Sequence, residues 1–381
     1  MDFRESDEQS AIRAMVRELA EKEIRPGVAH REKTGEFPAE VIAKLGELGL
    51  LGVMVPEEYG GAGLDATSYV IAVEELARVC ASTAVTMSVN NSVFCYPVLK
   101  FGTEEQKTTI LREVASGAAL GGYMLTEPQS GSDAANQRPR AEKTGDRWIL
   151  NGAKAWITNA GVAKWFVVMA RTGGEGTKGI SGFLVDAATP GFRVGAPEDK
   201  MGLRASKTAM VFLEDVEVPE TNLLGSEGQG FKIAMTTLDH SRIGIAAQAV
   251  GIAQSCYELA AAYAEVRETF GKKLWDHQAV AFRLADLWTE IQAARLLTYR
   301  AAWLSEQPGA KFSAESSAAK LFASETANSV AARAVQIFGG YGYSKEYEVE
   351  RLYRDVRVTT IYEGTSEIQR MVIAKNLQKK G

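Results

Sequence analysis

One carboxylate in the sequence stands in an unusual setting. In the segment IYEGTSEIQRM, residues 361–371, Glu363 follows an isoleucine and a tyrosine and precedes Gly364, just before a predicted helix. As a first-turn helix charge it would be stabilised by the helix dipole, by ~0.5 kcal/mol, and its pKa would be lowered. As a general base kept away from bulk water, its pKa would instead be raised by loss of solvation. The neighbouring residues alone leave both interpretations open.

Histidine and cysteine chemistry is not expected from this sequence. Its three histidines form no HExxH or HxH pattern, so neither a His-based metal site nor a catalytic triad is predicted. Its three cysteines form no CxxC pair and are predicted to be small buried hydrophobic residues: Cys80, Cys95 and Cys256. Any acid–base chemistry is therefore expected to use a carboxylate.

Four further segments combine glycine, hydroxyl and aromatic residues in ways that suit ligand binding. They are YMLTEPQSGSD at 123–133, WITNA at 156–160, RETFGK at 267–272 and QIFGGYGY at 336–343. A polar turn such as the first can present several backbone N–H groups to phosphate or heterocycle edges. The second offers a flat aromatic surface beside a threonine hydroxyl. Taken alone, each is explained more simply as a strand and turn, as core packing or as glycines that end a helix.

One segment matches a dinucleotide-binding motif but lacks the structural context that the motif requires. Residues 174–179 read GEGTKG and match GxGxxG. That fingerprint must end a strand and open a helix. Here it lies between KWFVVMAR and ISGFLVDA, two runs that predict strands, so a hairpin loop is expected and a Rossmann domain is not.

The composition indicates a globular protein of two or three domains. The chain has 381 residues, 46% apolar and 24% charged, with a net charge of −5. A net negative charge argues against nucleic acid as the main partner. No window approaches the roughly 20 apolar residues of a membrane span. The acidic N-terminal segment resembles neither a secretory signal nor a transit peptide, so a cytoplasmic location is expected.

The elements that must position these residues follow an α, β, α order, an α+β multidomain fold. Residues 1–120 are predicted to form a helical domain, with capping boxes SDEQ at 6–9 and TEEQ at 103–106. Residues 121–230 are predicted to form an antiparallel β domain of six to eight strands, resembling a barrel or sandwich. Residues 231–381 are predicted to form a four-helix bundle.

Four segments predict the helices of that bundle. Each has a continuous apolar face and few or no internal glycines or prolines. They are Phe231–Val266, Gln278–Ser305, Ser313–Phe338 and the helix that follows Glu363.

The sequence resembles the acyl-CoA dehydrogenase family over essentially its whole length. The resemblance rests on five segments in the family's order and spacing: YMLTEPQSGSD, KAWITNA, RETFGK, QIFGGYGY and IYEGTSEIQR. Among the members, the short-chain (butyryl-CoA) dehydrogenases are the most similar, since MSVNNS at 87–92 also matches them.

The resemblance implies a set of residues that bind FAD. In the chain's own flavin site these are Tyr123, Leu125, Thr126, Gly131, Ser132, Trp156, Ile157, Thr158, Thr365, Ser366 and Glu367. Toward the FAD of a neighbouring subunit they are Arg267, Phe270, Gln278, Gln336, Gly339 and Gly340. A cofactor site shared in this way implies an oligomer, in this family usually a homotetramer.

The resemblance also implies a reaction and a base. It implies FAD-dependent α,β-dehydrogenation of a short-chain acyl-CoA thioester to the trans-2-enoyl-CoA. Glu363 would remove the α-proton while the β-hydrogen leaves as hydride to flavin N5. The backbone N–H of Glu363 and a ribityl hydroxyl would donate to the thioester oxygen, where charge develops. Electrons would pass to electron-transfer flavoprotein, in fatty acid β-oxidation and lipid metabolism.

The resemblance also implies substrate-binding residues, and two further positions indicate which subgroup of the family the sequence resembles. The substrate-binding residues are Ser132, Asp239, Arg242, Tyr362 and Gly364. Isovaleryl- and long-chain-type relatives place the base at the position of Ser241, and glutaryl-type relatives place an arginine nearest Ala84. This sequence has neither feature. The alternatives are an acyl-CoA oxidase, a branched- or medium-chain dehydrogenase, and a helical scaffold without activity.

Overall fold

The computed structural model describes residues 4–378 and has the predicted α, β, α order. The N-terminal region is helical. Its α-helices are α1 (Asp7–Leu19), α2 (Arg25–Thr34), α3 (Ala39–Glu47), α4 (Ala66–Val79), α5 (Ala81–Val89), α6 (Tyr96–Phe101), α7 (Glu104–Gln106) and α8 (Arg112–Ala115). Wider π-helical turns join several of them: Ala20–Ile24, Asn90–Cys95 and Lys107–Leu111.

Both predicted capping boxes are present and start their helices. The Gln9 N–H donates to Ser6 Oγ at 3.1 Å, and the Ser6 N–H donates to Gln9 Oε1 at 3.1 Å. Thr103 and Gln106 make the same reciprocal pair. Each box satisfies backbone donors that the first helical turn leaves free, so these boundaries follow from the local sequence.

The middle region forms a single sheet. Its strands are β1 (Gly121–Met124), β2 (Arg140–Thr144), β3 (Arg147–Thr158), β4 (Trp165–Arg171), β5 (Ile180–Asp186), β6 (Phe192–Pro197), β7 (Thr208–Pro219) and β8 (Leu223–Leu224). The order is β6-β7-β3-β2-β4-β5-β8, with β1 beside β4. The GEGTKG segment joins the antiparallel pair β4 and β5, which confirms the predicted hairpin loop.

The predicted antiparallel β domain is confirmed in most of its strand pairings, and the sheet departs from the prediction in two details. Strand β1 pairs with β4 in parallel, and β2 meets β4 in parallel at Arg140 and Arg171. The strand order also ends at β6 and β8, so the described sheet does not close. Hairpin spacing predicts antiparallel neighbours, whereas β1 and β4 are separated by two other strands and their pairing is decided by long-range contacts.

The C-terminal region is a helical bundle whose long helices lie where the sequence predicts them, with an additional short helix before the last one. Its helices are α9 (Gly230–Val266), α10 (Gln278–Ser305), α11 (Ser313–Phe338), α12 (Glu348–Val356) and α13 (Ser366–Gln378). A short hairpin of β9 (Glu268–Thr269) and β10 (Lys272–Lys273) separates α9 from α10. Within residues 4–378, no helix is both long and apolar enough to cross a bilayer.

Helix α9 packs against α4 and α11 and joins the N-terminal region to the bundle. Two glycines in the middle of α9 permit the close approach to α4. A Cβ at Gly244 would lie 2.2 Å from the Tyr69 hydroxyl, and one at Gly251 would lie 2.3 Å from the Glu74 carbonyl oxygen. These glycines therefore set how near the two helices come, and with that the space around the segment that carries Glu363.

Candidate active site

Glu363 lies in a left-handed turn outside any helix. The segment follows a 3-10 turn that ends at Thr360, and α13 begins only at Ser366. Glu363 has φ 52° and Gly364 has φ 95°. A non-glycine residue in this region is uncommon and costs on the order of 1 kcal/mol, which the surrounding structure must offset. The interpretation as a first-turn helix charge therefore does not hold.

The carboxyl group of Glu363 is withdrawn from water. The residue as a whole is half-buried, but its Oε2 is buried and has no hydrogen-bond partner. Burial raises the pKa of the carboxyl to about 7, against the opposing effects of the Ser241 hydroxyl and of the Lys320 and Arg242 cations. A carboxyl that titrates near neutrality can take a proton at physiological pH and hold it more firmly than an exposed carboxylate could.

Two side chains hold the backbone of this turn. Lys320 of α11 donates from Nζ to the Gly364 carbonyl oxygen at 2.7 Å. Gln369 of α13 donates from Nε2 to the same oxygen at 2.8 Å and to the Glu363 carbonyl oxygen at 3.2 Å. The turn is thus fixed from two helices, and the direction of the Glu363 side chain and N–H is fixed with it.

Tyrosine side chains surround the carboxyl group. Tyr362 donates to Gln248 Oε1 of α9, and Tyr69 of α4 shares a 2.8 Å hydrogen bond with Ser88. The hydroxyl of Tyr123 on β1 is buried without a partner. Burial and the charge of Glu363 raise the pKa of Tyr69, Tyr123 and Tyr362, so all three stay neutral at physiological pH. The surroundings are therefore aromatic and poor in water.

The predicted substrate-binding pair on α9 lies close to Glu363. Arg242 Nη1 donates to Asp239 Oδ1 at 2.6 Å, and Asp239 also accepts a hydrogen bond from Ser313 of α11. Arg242 is 3% exposed and acts electrostatically on Glu363. A buried guanidinium beside an acidic partner is suited to a polar or anionic part of a ligand.

Two of the predicted flavin-binding segments meet where the loop after β1 contacts the end of β3. The Ala155 N–H donates to the Thr126 carbonyl oxygen at 2.9 Å, which joins the loop after β1 to the end of β3. At Trp156 the β3–β7 register shifts and φ is 60°, and the indole is 61% exposed. Tyr123 lies in β1 just before this loop, and the charge of Glu363 adds to the effect of burial in raising its pKa.

A buried ion pair joins the same two segments. Lys154 and Glu127 are both fully buried, and Lys154 Nζ lies 2.7 Å from Glu127 Oε1. The same Nζ donates to the Leu125 carbonyl oxygen at 3.1 Å, and Glu127 accepts from the Arg138 N–H at 2.9 Å. Burial lowers the pKa of Lys154 to about 8. The pair thereby ties the loop that carries Leu125 and Thr126 to strand β3.

The residues present fit a flavin cofactor. An indole as exposed as that of Trp156 offers a planar group a stacking surface. The Oγ of Ser366, at the first position of α13, is buried without a partner. No atom would contact a Cβ at Gly131 within 4 Å, so the backbone there is open to a ligand. These are features that a bound dinucleotide would cover or satisfy.

The second set of predicted cofactor-binding residues lies elsewhere. Arg267 follows the last residue of α9, and its guanidinium stacks over Tyr341 at 5.5 Å, which brings the RETFGK and QIFGGYGY segments together. Phe270 is 94% exposed, and no atom lies within 4 Å of a Cβ at Gly339 or Gly340. Since Ser241 is beside Glu363 and 26 helical positions before Arg267, the two sites are about 39 Å apart along α9.

Several residues of the site are not predicted from the sequence. They are Lys320, Gln369, Gln248, Tyr69, Lys154 and Glu127. For one of them a signal was present. Lys320 falls among small residues on the inward face of α11, where a lysine is not expected. The glutamines and the Glu127–Lys154 pair have no comparable pattern.

Family models match nearly the whole chain. The acyl-CoA dehydrogenase N-terminal, middle and C-terminal domain models match residues 6–118, 122–216 and 228–378.

Relatives and solved structures agree with the family models. The chain is 52% identical to the mitochondrial short-chain specific acyl-CoA dehydrogenase of Bos taurus, over 97% of this chain and 89% of the relative. It is 47% identical to the short-chain specific acyl-CoA dehydrogenase of Clostridium acetobutylicum, over 98% and 99%. The butyryl-CoA dehydrogenase of Megasphaera elsdenii superposes with a TM-score of 0.97 at 45% identity, over 99% of this chain and 100% of that chain.

One further solved structure concerns electron transfer. A chain in the structure described as "Electron transferring flavoprotein of Acidaminococcus fermentans: Towards a mechanism of flavin-based electron bifurcation" superposes with a TM-score of 0.97. It is 47% identical, and 99% of each chain is covered.

Proposed function

Since the chain belongs to the acyl-CoA dehydrogenase family of FAD-dependent oxidoreductases, which act on the CH–CH bond of acyl-CoA thioesters, we propose that it dehydrogenates short-chain acyl-CoA with Glu363 as the base. The observation that carries the proposal is the Glu363 carboxyl itself. It is shielded from water, it lies in a constrained left-handed turn, and its pKa is raised to about 7. The similarity to short-chain specific dehydrogenases supports a short acyl group in the substrate.

In the proposed mechanism, Glu363 removes the proton from the carbon next to the thioester carbonyl. Its own backbone N–H is proposed to donate to the thioester oxygen, where negative charge develops, which would lower the barrier to proton removal. The aromatic surroundings keep water away from the carboxyl and maintain its basicity. The Arg242–Asp239 pair is proposed to contact the CoA part of the substrate.

FAD, when bound, supplies the oxidant that accepts the β-hydrogen as hydride. The residues proposed to hold it in this chain's own site are Tyr123, Leu125, Thr126, Gly131, Ser132, Trp156, Ile157, Thr158, Thr365, Ser366 and Glu367. Ser132, Tyr362 and Gly364 are proposed to contact the substrate as well. The protein's part is to orient the reacting carbons and to exclude water.

The second set of residues is proposed to serve a neighbouring subunit. About 39 Å along α9 exceeds the length of an extended dinucleotide, so one FAD does not contact both sets on one chain. A homo-oligomer with shared cofactor sites, in this family usually a tetramer, accounts for both.

The proposed electron acceptor is an electron-transfer flavoprotein. It is supported by the 47% identity to the chain found in the Acidaminococcus fermentans electron-transferring flavoprotein structure. A cytoplasmic location remains a prediction.

Anaerobic mixing with butyryl-CoA tests the proposed function. The flavin absorption of the purified holoenzyme is expected to bleach, and Glu363→Gln is expected to retain FAD and to bleach at least 10²-fold more slowly, because the base is gone. Glu105→Gln, an exposed glutamate of α7, serves as the matched control and should behave as wild type. Normal bleaching by Glu363→Gln would refute the assignment of the base.

The same experiment distinguishes the alternatives. Rapid recovery of the absorption on admitting oxygen would indicate an oxidase. Purified protein without flavin would indicate the scaffold. Faster bleaching by longer or branched acyl-CoA would indicate a medium- or branched-chain enzyme.

A further inference from the structure

Lys320 is a buried cation with no part in the mechanism described so far. It lies in the middle of α11 and is 0% exposed. The residues one turn before and after it on the same face, Ser316 and Ser324, are also fully buried. Removing an ammonium group from water is costly unless the group gains a specific partner. The partner therefore indicates what the lysine does.

That partner is the backbone of the catalytic turn. The Nζ donates to the carbonyl oxygen of Gly364, the residue after the base, at 2.7 Å. Gly364 and Glu363 both have left-handed φ values, of 95° and 52°. Gln369 donates to the same oxygen, but it is only five residues further along the chain. Lys320 lies 44 residues before Gly364, so it connects the turn to a distant helix.

The lysine also contributes charge to the carboxyl. Lys320 and Arg242 are the cations whose charges oppose the raised pKa of Glu363. In return, Glu363 is the first among the anions that keep Lys320 protonated, while burial lowers the lysine's pKa to about 8. The base and the lysine are thus electrostatically coupled.

Other polar and titratable groups, from several elements, act on the pair of Glu363 and Lys320. For Glu363 they are Tyr69 of α4, Tyr123 of β1, Ser241 and Arg242 of α9, and its neighbour Tyr362. For Lys320 they are Glu363, Arg242, Glu367 and Glu325. The tyrosines are neutral at physiological pH, so the two cations dominate the field at the carboxyl.

We propose that Lys320 is a positioning residue of this active site. Its ammonium group holds the Gly364 carbonyl, and so keeps the Glu363–Gly364 turn in the one orientation that directs both the Glu363 carboxylate and the Glu363 N–H toward the thioester. The inference rests on the proposed role of Glu363 as base. It predicts an effect on the chemical step greater than on substrate binding, because a small displacement of a base slows proton transfer more than it weakens binding.

The test compares three substitutions in the holoenzyme. Lys320→Met removes the donor and the charge, Lys320→Gln keeps a donor without charge, and Lys320→Arg keeps both. Lys178→Met, in the exposed loop between β4 and β5, is the control. The limiting rate and apparent Kd of anaerobic flavin reduction by butyryl-CoA are measured by stopped flow. Independently, the Glu363 carboxyl is titrated by infrared difference spectroscopy, with Glu363→Gln identifying its band.

Lys320→Met is expected to lower the limiting rate on the order of 10²-fold and to change the apparent Kd by no more than about threefold. The Glu363 carboxyl should titrate at higher pH, because a cation that favours its charged form has been removed. Lys320→Arg should restore the titration and most of the rate, and Lys178→Met should change neither.

An unchanged limiting rate together with an unchanged carboxyl titration in Lys320→Met would overturn the proposal. Should Lys320→Met fail to fold, Lys320→Ala answers the same question, since it also lacks both the donor and the charge. An unchanged limiting rate together with an unchanged carboxyl titration in that variant would overturn the proposal. If wild type were bleached by no acyl-CoA, the proposed function would fail. The carboxyl titration would still report whether Lys320 is coupled to Glu363.

Discussion

At the scale of the residue, Glu363 combines two features that are unfavourable for folding. Its backbone is left-handed, and its carboxyl group is shielded from water with one oxygen unpartnered. Neither would be expected of a glutamate chosen for stability. Both suit the proposed role as base, because the surroundings that exclude water also raise the proton affinity of the carboxyl.

The cost at Glu363 should be visible as a dependence of stability on pH. Its pKa is about 7 in the folded chain against an ordinary 4.5, so the folded state binds more protons between these values. The residue thus lowers stability increasingly as the pH rises from 4.5 to 7, and by a constant amount above that. Glu363→Gln, which cannot ionise, should be more stable than wild type at pH 8 by at most about 3 kcal/mol.

Thermal unfolding of the two holoenzymes between about pH 4.5 and pH 8 measures this difference. The stabilisation by Glu363→Gln should shrink toward the acidic end of the range. Glu105→Gln should unfold as wild type throughout, since its side chain is exposed. A Glu363→Gln stabilisation that stayed the same at every pH would show that ionisation of Glu363 is not its cause.

At the scale of the element, the loop after β1 and the end of β3 form one unit. The buried Lys154 and Glu127 join them, and the Ala155–Thr126 hydrogen bond lies next to the pair. Irregular strands of this kind, with a register shift and a left-handed residue, need support from elsewhere in the structure. The ion pair supplies that support below the exposed Trp156.

Removing only one member of the Lys154–Glu127 pair should lower the stability of the folded protein. Lys154→Met leaves the Glu127 carboxylate buried and unpaired and is expected to destabilise the protein by about 3–5 kcal/mol and to weaken FAD retention. The double substitution Lys154→Met with Glu127→Gln should recover most of this loss, because the glutamine is neutral and its carbonyl still accepts from the Arg138 N–H.

Unfolding midpoints and flavin content of the purified variants give the measurement. The matched control is Lys143→Met, which removes a lysine of β2 from a surface pair with Glu220. It should cost less than about 1 kcal/mol. Equal losses for Lys154→Met and Lys143→Met would argue against a special role for the buried pair.

At the scale of the whole molecule, α9 separates two sets of residues that are predicted to bind the cofactor. One set includes Tyr123, whose pKa is raised by burial and in part by the charge of Glu363, and the other lies beyond the far end of the helix, where Arg267 lies over the Tyr341 ring. In the proposed shared site, neither set is sufficient to bind FAD without the other set from a neighbouring chain. Assembly of several chains would therefore be part of how the site is made.

Subunit mixing tests this arrangement directly. Glu363→Gln disables one half of a shared site and Arg267→Glu the other, so each homo-oligomer should be inactive. In randomly mixed oligomers, half of the neighbouring pairs combine one chain of each variant. Each such pair has two shared sites, and one of them receives both an intact Glu363 and an intact Arg267. About a quarter of all sites are then intact, so activity should return to about a quarter of wild type.

Co-expression of the two variants with different affinity tags, followed by tandem purification and size-exclusion chromatography, yields the mixed species. Glu105→Gln co-expressed with Arg267→Glu serves as a reference for tagging and mixing. Activity that stayed at the level of the separate variants would mean that each site is built within one chain.

The sequence by itself determined most of the local structure and the family. The capping boxes, the bundle helices and the hairpin at GEGTKG depend on residues close together in the chain, and they are found where the patterns predict them. The five segments were sufficient to place the chain in its family. The parallel pairing of β1 with β4, and the open sheet, depend on contacts between distant residues, which local patterns do not specify.

Only the tertiary structure decided how the site works. The sequence named Glu363 but left its burial and its turn open, because both come from residues on other elements. Lys320 on α11, Gln369 on α13 and the tyrosines of α4 and β1 have no spacing in common. Packing brings them to one place, removes water there and couples their charges. The pKa of a base is a property of that assembled environment, which no segment contains alone.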